Sequence, residues 1–262
     1  MVDPEQITES ETAWLIYGRQ GNQRVVLKVA QARGDEWLAG SVVAAFGGLG
    51  MARVIEWTDG AMLLEEIRPG VPLIELTKSG RDREASAIFA GVVTAMAPGP
   101  PPSHVPTVAN WGLGFERYVV SGDHQIPSDL LSQAQEVYTS LAATQRAPRL
   151  LHGDLHHENI LLDAERGWLA IDPKGVIGEL EFELGAWLRN PAGHPDFFAR
   201  RGAVEDRLEQ LGALLPIDQS RTLAWAFAQG VLSAIWTVED EGTLSAGHAG
   251  LALARTIRKL VR

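Results

Sequence analysis

The feature that most constrains this 262-residue chain is the stretch 151–172, LHGDLHHENILLDAERGWLAID. A polar loop, 152–159, runs into two short apolar segments, 160–163 and 167–172, that read as a hairpin around residues 164–166. A hairpin returns the chain to the end it left, so Asn159 is brought towards Asp172 whatever surrounds the pair. Asp154, Asn159 and Asp172 therefore form a set. One carboxylate can accept a proton, while an amide and a second carboxylate can hold a divalent ion. Phosphoryl transfer needs that set, because metal holds the transferred group while a base orients the incoming hydroxyl.

The order H-x-D-x-x-x-x-N, strand pair, D-x-x-G resembles the catalytic and metal loops of protein-kinase-like enzymes. HGDLHHENIL followed by GWLAIDPKGVIGE is narrower. It is similar to the aminoglycoside phosphotransferases, and within them to the branch containing streptomycin 6-phosphotransferase and the hydroxyurea kinases. The resemblance is strongest over 151–179 and extends more weakly from residue 12 to the C-terminus. It implies an α+β, bilobal protein-kinase-like fold: a small antiparallel-sheet N-lobe, 1–68, and a larger, mainly helical C-lobe, 69–262. It also implies ATP and Mg²⁺ as cofactors, Asp154 as catalytic base, and Asn159 and Asp172 as metal ligands. The acceptor it points to is a hydroxyl of an aminoglycoside of the streptomycin type, inactivated by the transfer. Pro173 stands where protein kinases carry the aromatic residue of D-F-G, so a swinging switch is not expected.

Upstream, residues 12–17 and 24–30 read as a strand pair with a turn at 18–23. Lys28 shares a strand face with Val26 and Ala30; by resemblance it is the lysine that meets the ATP phosphates, and otherwise a solvated edge-strand lysine. Residues 34–46 read as a helix closed by Gly47-Gly48. Glu36 lines up with the glutamate that orients this lysine in the family; a first-turn acid favoured by the helix dipole is the alternative. Residues 7–12 occupy the place of the phosphate-covering loop, yet contain no G-x-G-x-x-G. Ser10 and Thr12 could supply donors there, behind an abbreviated first strand. Segments 53–56 and 61–67 read as further strands, and the resemblance makes the backbone from Glu65 to Ile67 the hinge that binds adenine. Pro69-Gly70 then marks the lobe boundary.

Segments 82–96, 111–120, 128–145, 201–215, 220–236 and 246–261 read as helices, with 128–145 expected to be the buried spine behind the catalytic loop. The longest apolar run, 223–236, is interrupted by Gln229 and Gly230 and is too short to span a bilayer. The acidic first ten residues carry no apolar signal core, and there is no cysteine, so disulfides and thiolate metal sites are excluded. A cytoplasmic protein with a small-molecule partner is expected, acting on neither membrane nor nucleic acid. The net charge of −10 argues against a nucleic-acid binder and suits a cationic substrate, although it also serves solubility. Glu179, with Glu181 and Glu183, and Glu239, Asp240 and Glu241 are the acids that could line the pocket for such a substrate, or simply form solvated loops. Three other readings stand beside this one: a pseudokinase, an orphan kinase with another substrate, and a hydrolase binding a transition metal through His152, Asp154, His156 and His157.

Overall fold

The computed structural model describes residues 3–10 and 12–260. An antiparallel five-stranded sheet forms the N-lobe, built from β1 (Asp3–Glu9), β2 (Ala13–Gln20), β3 (Gln23–Ala30), β4 (Val54–Thr58) and β5 (Ala61–Glu65) in the order β1-β2-β3-β5-β4. Strands β2 and β3 pair from Ala13↔Ala30 to Gln20↔Gln23, leaving the two-residue turn Gly21-Asn22. Gly21 takes φ +59°, which a type II′ hairpin requires at its first central position. The register sets Leu15, Lys28 and Met62 in one row and Tyr17, Val26 and Leu64 in the next. Both rows lie on the face that looks onto the rest of the molecule.

The first strand is not abbreviated: β1 is seven residues long and every one is exposed. A strand bare on both faces shows no alternation, and its Pro4 and β-bulge are tolerable only at a sheet edge. Nor is 34–46 one helix. A 3₁₀ turn, Asp35–Leu38, leads into α1 (Ala39–Ala45).

Next along the chain is β6 (Pro69–Pro72), which pairs with the hairpin at 160–170 rather than with the five-stranded sheet. Helices α2 (Ile74–Lys78), α3 (Asp82–Ala95), α4 (Val108–Ser121) and α5 (Ser128–Ala143) follow. Then come β7 (Arg149–Leu151), the hairpin β8 (Ile160–Asp163) and β9 (Gly167–Ala170), and β10 (Val176–Gly178). The chain closes with α6 (Leu180–Leu188), α7 (Pro195–Phe198), α8 (Arg201–Leu214), α9 (Gln219–Glu241) and α10 (Ala249–Leu260). Position 261, the end of the last expected helix, lies outside the described residues. The strands form two small sheets, β6-β8-β9 and β7-β10, and the loop 152–159 connects one to the other.

The buried spine is α6, not α5. Only one face of α5 is covered, through Leu130, Ala134, Tyr138 and Leu141, whereas every residue from Glu181 to Leu188 on α6 is buried. Its Phe182 meets Trp225 of α9 edge-on, with ring centroids 5.0 Å apart. Truncating one such buried ring to alanine costs roughly 3–5 kcal/mol. Among the described residues, no helix is long and apolar enough to cross a membrane.

Candidate active site

The loop 152–159 leaves β7 at His152 and enters β8 after Asn159. Glu183 of α6 holds it from below, accepting the His152 N–H at 2.7 Å and the Gly153 N–H at 3.1 Å. Burial pushes the Glu183 carboxyl up to about 7, against those backbone donors. His152 is wholly buried, and burial takes its imidazole down to about 4, so it is neutral at physiological pH. Its Nδ1 accepts the Asp154 N–H at 3.3 Å, which leaves Nε2–H to donate to the Ile171 carbonyl at 2.7 Å. One ring thus ties the base loop to the residue before Asp172.

Asp154 is partly exposed. Its Oδ1 is 3.1 Å from Nη2 of Arg189, a guanidinium that is itself buried at the end of α6 and also donates to Gln229 at 3.1 Å. The second Asp154 oxygen lies 3.8 Å from His156 Nε2. Asn159 donates its Nδ2–H to the Asp154 carbonyl at 3.0 Å, so its amide oxygen remains for a ligand.

The turn after β9 brings in Asp172, which takes φ +61°, a left-handed conformation uncommon for any residue but glycine. Its Oδ1 is 2.5 Å from Lys28 Nζ, and the same ammonium is 2.7 Å from Glu36 Oε2. Burial pulls the Lys28 ammonium down, but the carboxylates of Asp172 and Glu36 outweigh it and the pKa rises. Burial likewise raises Asp172, and Lys28, with help from Lys174, more than reverses this, so the carboxyl sits below its usual range. Thr12 reaches Glu36 through its hydroxyl at 3.3 Å.

A cleft of about 690 Å³ opens between the sheet and this cluster. One end is apolar, with Val26, Leu64 and Leu161; the other carries Lys28, Asp172 and Lys174. That is the shape and polarity a nucleotide needs, a flat base at one end and phosphates at the other. Glu65 and Ile67 border the apolar end. The Glu65 side chain is engaged elsewhere, by Arg166 and by the Arg53 N–H at 2.9 Å, so only its backbone is available. Among the described residues the Ile67 N–H has no hydrogen-bond partner. Ser10 also borders the cleft, but its hydroxyl is spent closing its own turn, donating to the Ala13 carbonyl at 2.9 Å and accepting the Ala13 N–H at 3.1 Å.

Two hard oxygen donors, from Asn159 and Asp172, suit Mg²⁺, which takes one or two protein ligands and fills the rest with water and phosphate oxygens. They do not suit a transition metal. His157 is buried and stacked on Trp187, with centroids 3.7 Å apart, and His152 is committed to Ile171. Among the described residues, no three His, Asp or Glu side chains gather in a metal-binding group.

The acids proposed for the substrate pocket divide. Glu179 does not face the cleft, which corrects the expectation. It is fully buried and its oxygens are taken by Arg221 at 2.5 Å, by the Trp225 indole N–H, and by the Arg146 N–H at 2.8 Å. Glu181 is also buried and accepts the Asp218 N–H at 3.1 Å, while Glu183 is the loop anchor. Helix α9 continues past Trp236, so Glu239, Asp240 and Glu241 ride on its last turns rather than on a loop beyond it. Glu239 pairs with Arg117 of α4 at 3.0 Å, and Asp240 and Glu241 are exposed. Arg189 was not anticipated. It follows the largely apolar run FELGAWL, and an arginine at the end of such a run needs an anion if it is buried.

Residues 2–241 match the aminoglycoside/hydroxyurea antibiotic resistance kinase family. The chain is 35% identical over 245 residues to a streptomycin 3''-kinase of Klebsiella pneumoniae, covering 91% of this chain and 88% of that protein. It is 30% identical over 260 residues to a hydroxyurea phosphotransferase of Kitasatospora aureofaciens, covering 90% and 72%. Among solved structures it is similar in fold to a thermostable mutant of aminoglycoside phosphotransferase APH(4)-Ia, in ternary complex with ADP and hygromycin B. There the TM-score is 0.70 at 16% identity, covering 98% of this chain and 94% of that one.

Proposed function

The chain belongs to the aminoglycoside/hydroxyurea antibiotic resistance kinases, and from that membership we propose that it moves the γ-phosphoryl group of ATP onto a hydroxyl of a streptomycin-type aminoglycoside in the cytoplasm. The observation that carries this reading is the ion triad of Lys28, Glu36 and Asp172 at one end of a nucleotide-sized cleft, with Asp154 beyond it on the loop that His152 ties to the same turn.

The roles follow from chemistry. Lys28, held by Glu36, neutralises the inner phosphates. Bound Mg²⁺ would draw charge from the phosphates. Asn159 and Asp172 are the residues to hold it, through the free amide oxygen of one and the carboxylate of the other. Arg189 fixes Oδ1 of Asp154, so that Oδ2 is the atom aimed at the acceptor hydroxyl and the one to orient it and take its proton. The backbone from Glu65 to Ile67 receives the base, with the Ile67 N–H as its donor. Thr12 acts indirectly by orienting Glu36, and Ser10 shapes the turn.

A cationic acceptor agrees with the net charge of −10 and with the exposed Asp240 and Glu241 on α9. The complete set of Lys28, Asp154, Asn159 and Asp172 argues against a pseudokinase. A different small acceptor is the reading the hydroxyurea phosphotransferase relative favours. The test is ATP consumption with Mg²⁺ by the purified protein against streptomycin, other aminoglycosides, hydroxyurea and choline, with Asp154→Asn as control. Streptomycin-dependent turnover that falls by about 10²–10⁴-fold in the control, with ADP binding retained, is the expected result. Turnover with hydroxyurea or choline and none with streptomycin would move the substrate; Asp154→Asn turning over normally would remove the base.

A further inference from the structure

Lys174 has no role in the site as described so far. It follows Asp172-Pro173, is exposed on the wall of the nucleotide cleft, and makes no ion pair among the described residues. Its position is well defined. Pro173 is buried and fixes the backbone before it. Gly175 behind it donates its N–H to the His152 carbonyl at 3.0 Å, takes φ +76°, and packs so closely on α1 that a Cβ would lie 2.8 Å from Val42 Cγ1. Lys174 Cβ is 3.6 Å from where a Cβ on Gly153 would stand, one residue before Asp154. Lys174 therefore lines the cleft beside the loop that carries Asp154, two residues on from Asp172.

The opposite wall explains the need for a cation. Members of the wider kinase fold cover the phosphates with glycine-rich backbone N–H groups. Here the segment before Ala13 contains no glycine, and the two hydroxyls that border the cleft are engaged, Ser10 by Ala13 and Thr12 by Glu36.

We propose that Lys174 is a catalytic residue that contacts the γ-phosphate and balances its charge during transfer, in a chain whose sequence has no glycine-rich loop before Ala13. The proposal rests on the kinase reading above. Lys28 serves the inner phosphates, so the two lysines should separate by nucleotide. The experiment titrates wild type, Lys174→Met and Lys174→Arg with ADP and with a non-hydrolysable ATP analogue in Mg²⁺, by calorimetry, alongside kcat on the acceptor found active. Lys174→Met should leave ADP affinity within about twofold and weaken the analogue about tenfold or more. Its kcat should fall about 100-fold, as when one charge-stabilising donor is removed, and Lys174→Arg should recover part of both losses. Equal weakening of ADP and analogue, or an unchanged preference between them with kcat within about threefold of wild type, overturns the proposal. Wild type that binds neither nucleotide would instead overturn the kinase reading, and this proposal with it.

Discussion

Glu183 and His152 are buried against the same short loop and titrate in opposite senses. The Glu183 carboxyl is raised to about 7 from an ordinary value of 4.5, so between those pH values the folded protein binds a proton that the unfolded chain has lost. Stability from this group therefore falls as pH rises through that window. His152 is lowered to about 4 from 6.5, so there the unfolded chain binds the extra proton, and stability rises with pH from about 4 to 6.5. The two slopes offset each other in the wild type. Glu183→Gln isolates one of them, because an amide oxygen can still accept the loop N–H groups without titrating. The difference in unfolding free energy between variant and wild type should move in the variant's favour by about 3 kcal/mol from pH 4.5 to 7. Urea unfolding at a series of pH values measures it, and parallel curves for the two proteins would mean Glu183 ionises as freely in the fold as outside it.

At the scale of elements, the buried acids of α6 belong to architecture. Glu179 at its head binds Arg221 and Trp225 of α9, so this carboxylate joins the two helices that form the C-lobe interior. Glu179→Gln leaves a largely buried guanidinium without its anion and should cost about 3–5 kcal/mol in denaturant unfolding. The KM for acceptor should stay within about twofold, since the residue is far from the substrate in role; a raised KM at unchanged stability would return Glu179 to the pocket. The sequence made the catalytic hairpin, the β2–β3 turn and the amphipathic face of α3 plain, because each rests on local periodicity or turn chemistry. It hid β1, which is bare on both faces and leaves no hydrophobic period, and the 3₁₀ turn at Asp35, where helix-like residues meet a sheet they must fit. It also left the acids of α6 ambiguous. A buried paired glutamate and a solvated one look alike until the partner is known, and Arg221 lies 42 residues away from Glu179. The same distance problem concealed Arg189 beside Asp154, 35 residues apart.

Across the whole molecule, one side chain joins the lobes at the site. Lys28 comes from β3 of the sheet, Glu36 from the 3₁₀ turn above it, and Asp172 from the C-lobe turn, 144 residues on from the lysine. Lys28 is 9% exposed, and removing its ammonium leaves two carboxylates facing each other in a poorly solvated cleft. Lys28→Met keeps the length and apolar stem of the side chain while deleting the charge. Breaking one partner out of a buried ionic group costs about 3–5 kcal/mol, and the partial exposure of Asp172 places this case at the lower end. A ligand at 100 times its dissociation constant stabilises the fold by about 2.7 kcal/mol, because only the native state binds it. Wild type should therefore melt higher in saturating Mg²⁺ and ADP, whereas Lys28→Met should melt lower without ligand and gain nothing from it. A variant that loses stability yet keeps the full nucleotide-induced rise would make Lys28 a strut between the lobes and no part of the phosphate site. A variant that keeps its stability and loses only the rise would mean Glu36 and Asp172 find enough water or mutual distance to do without their cation.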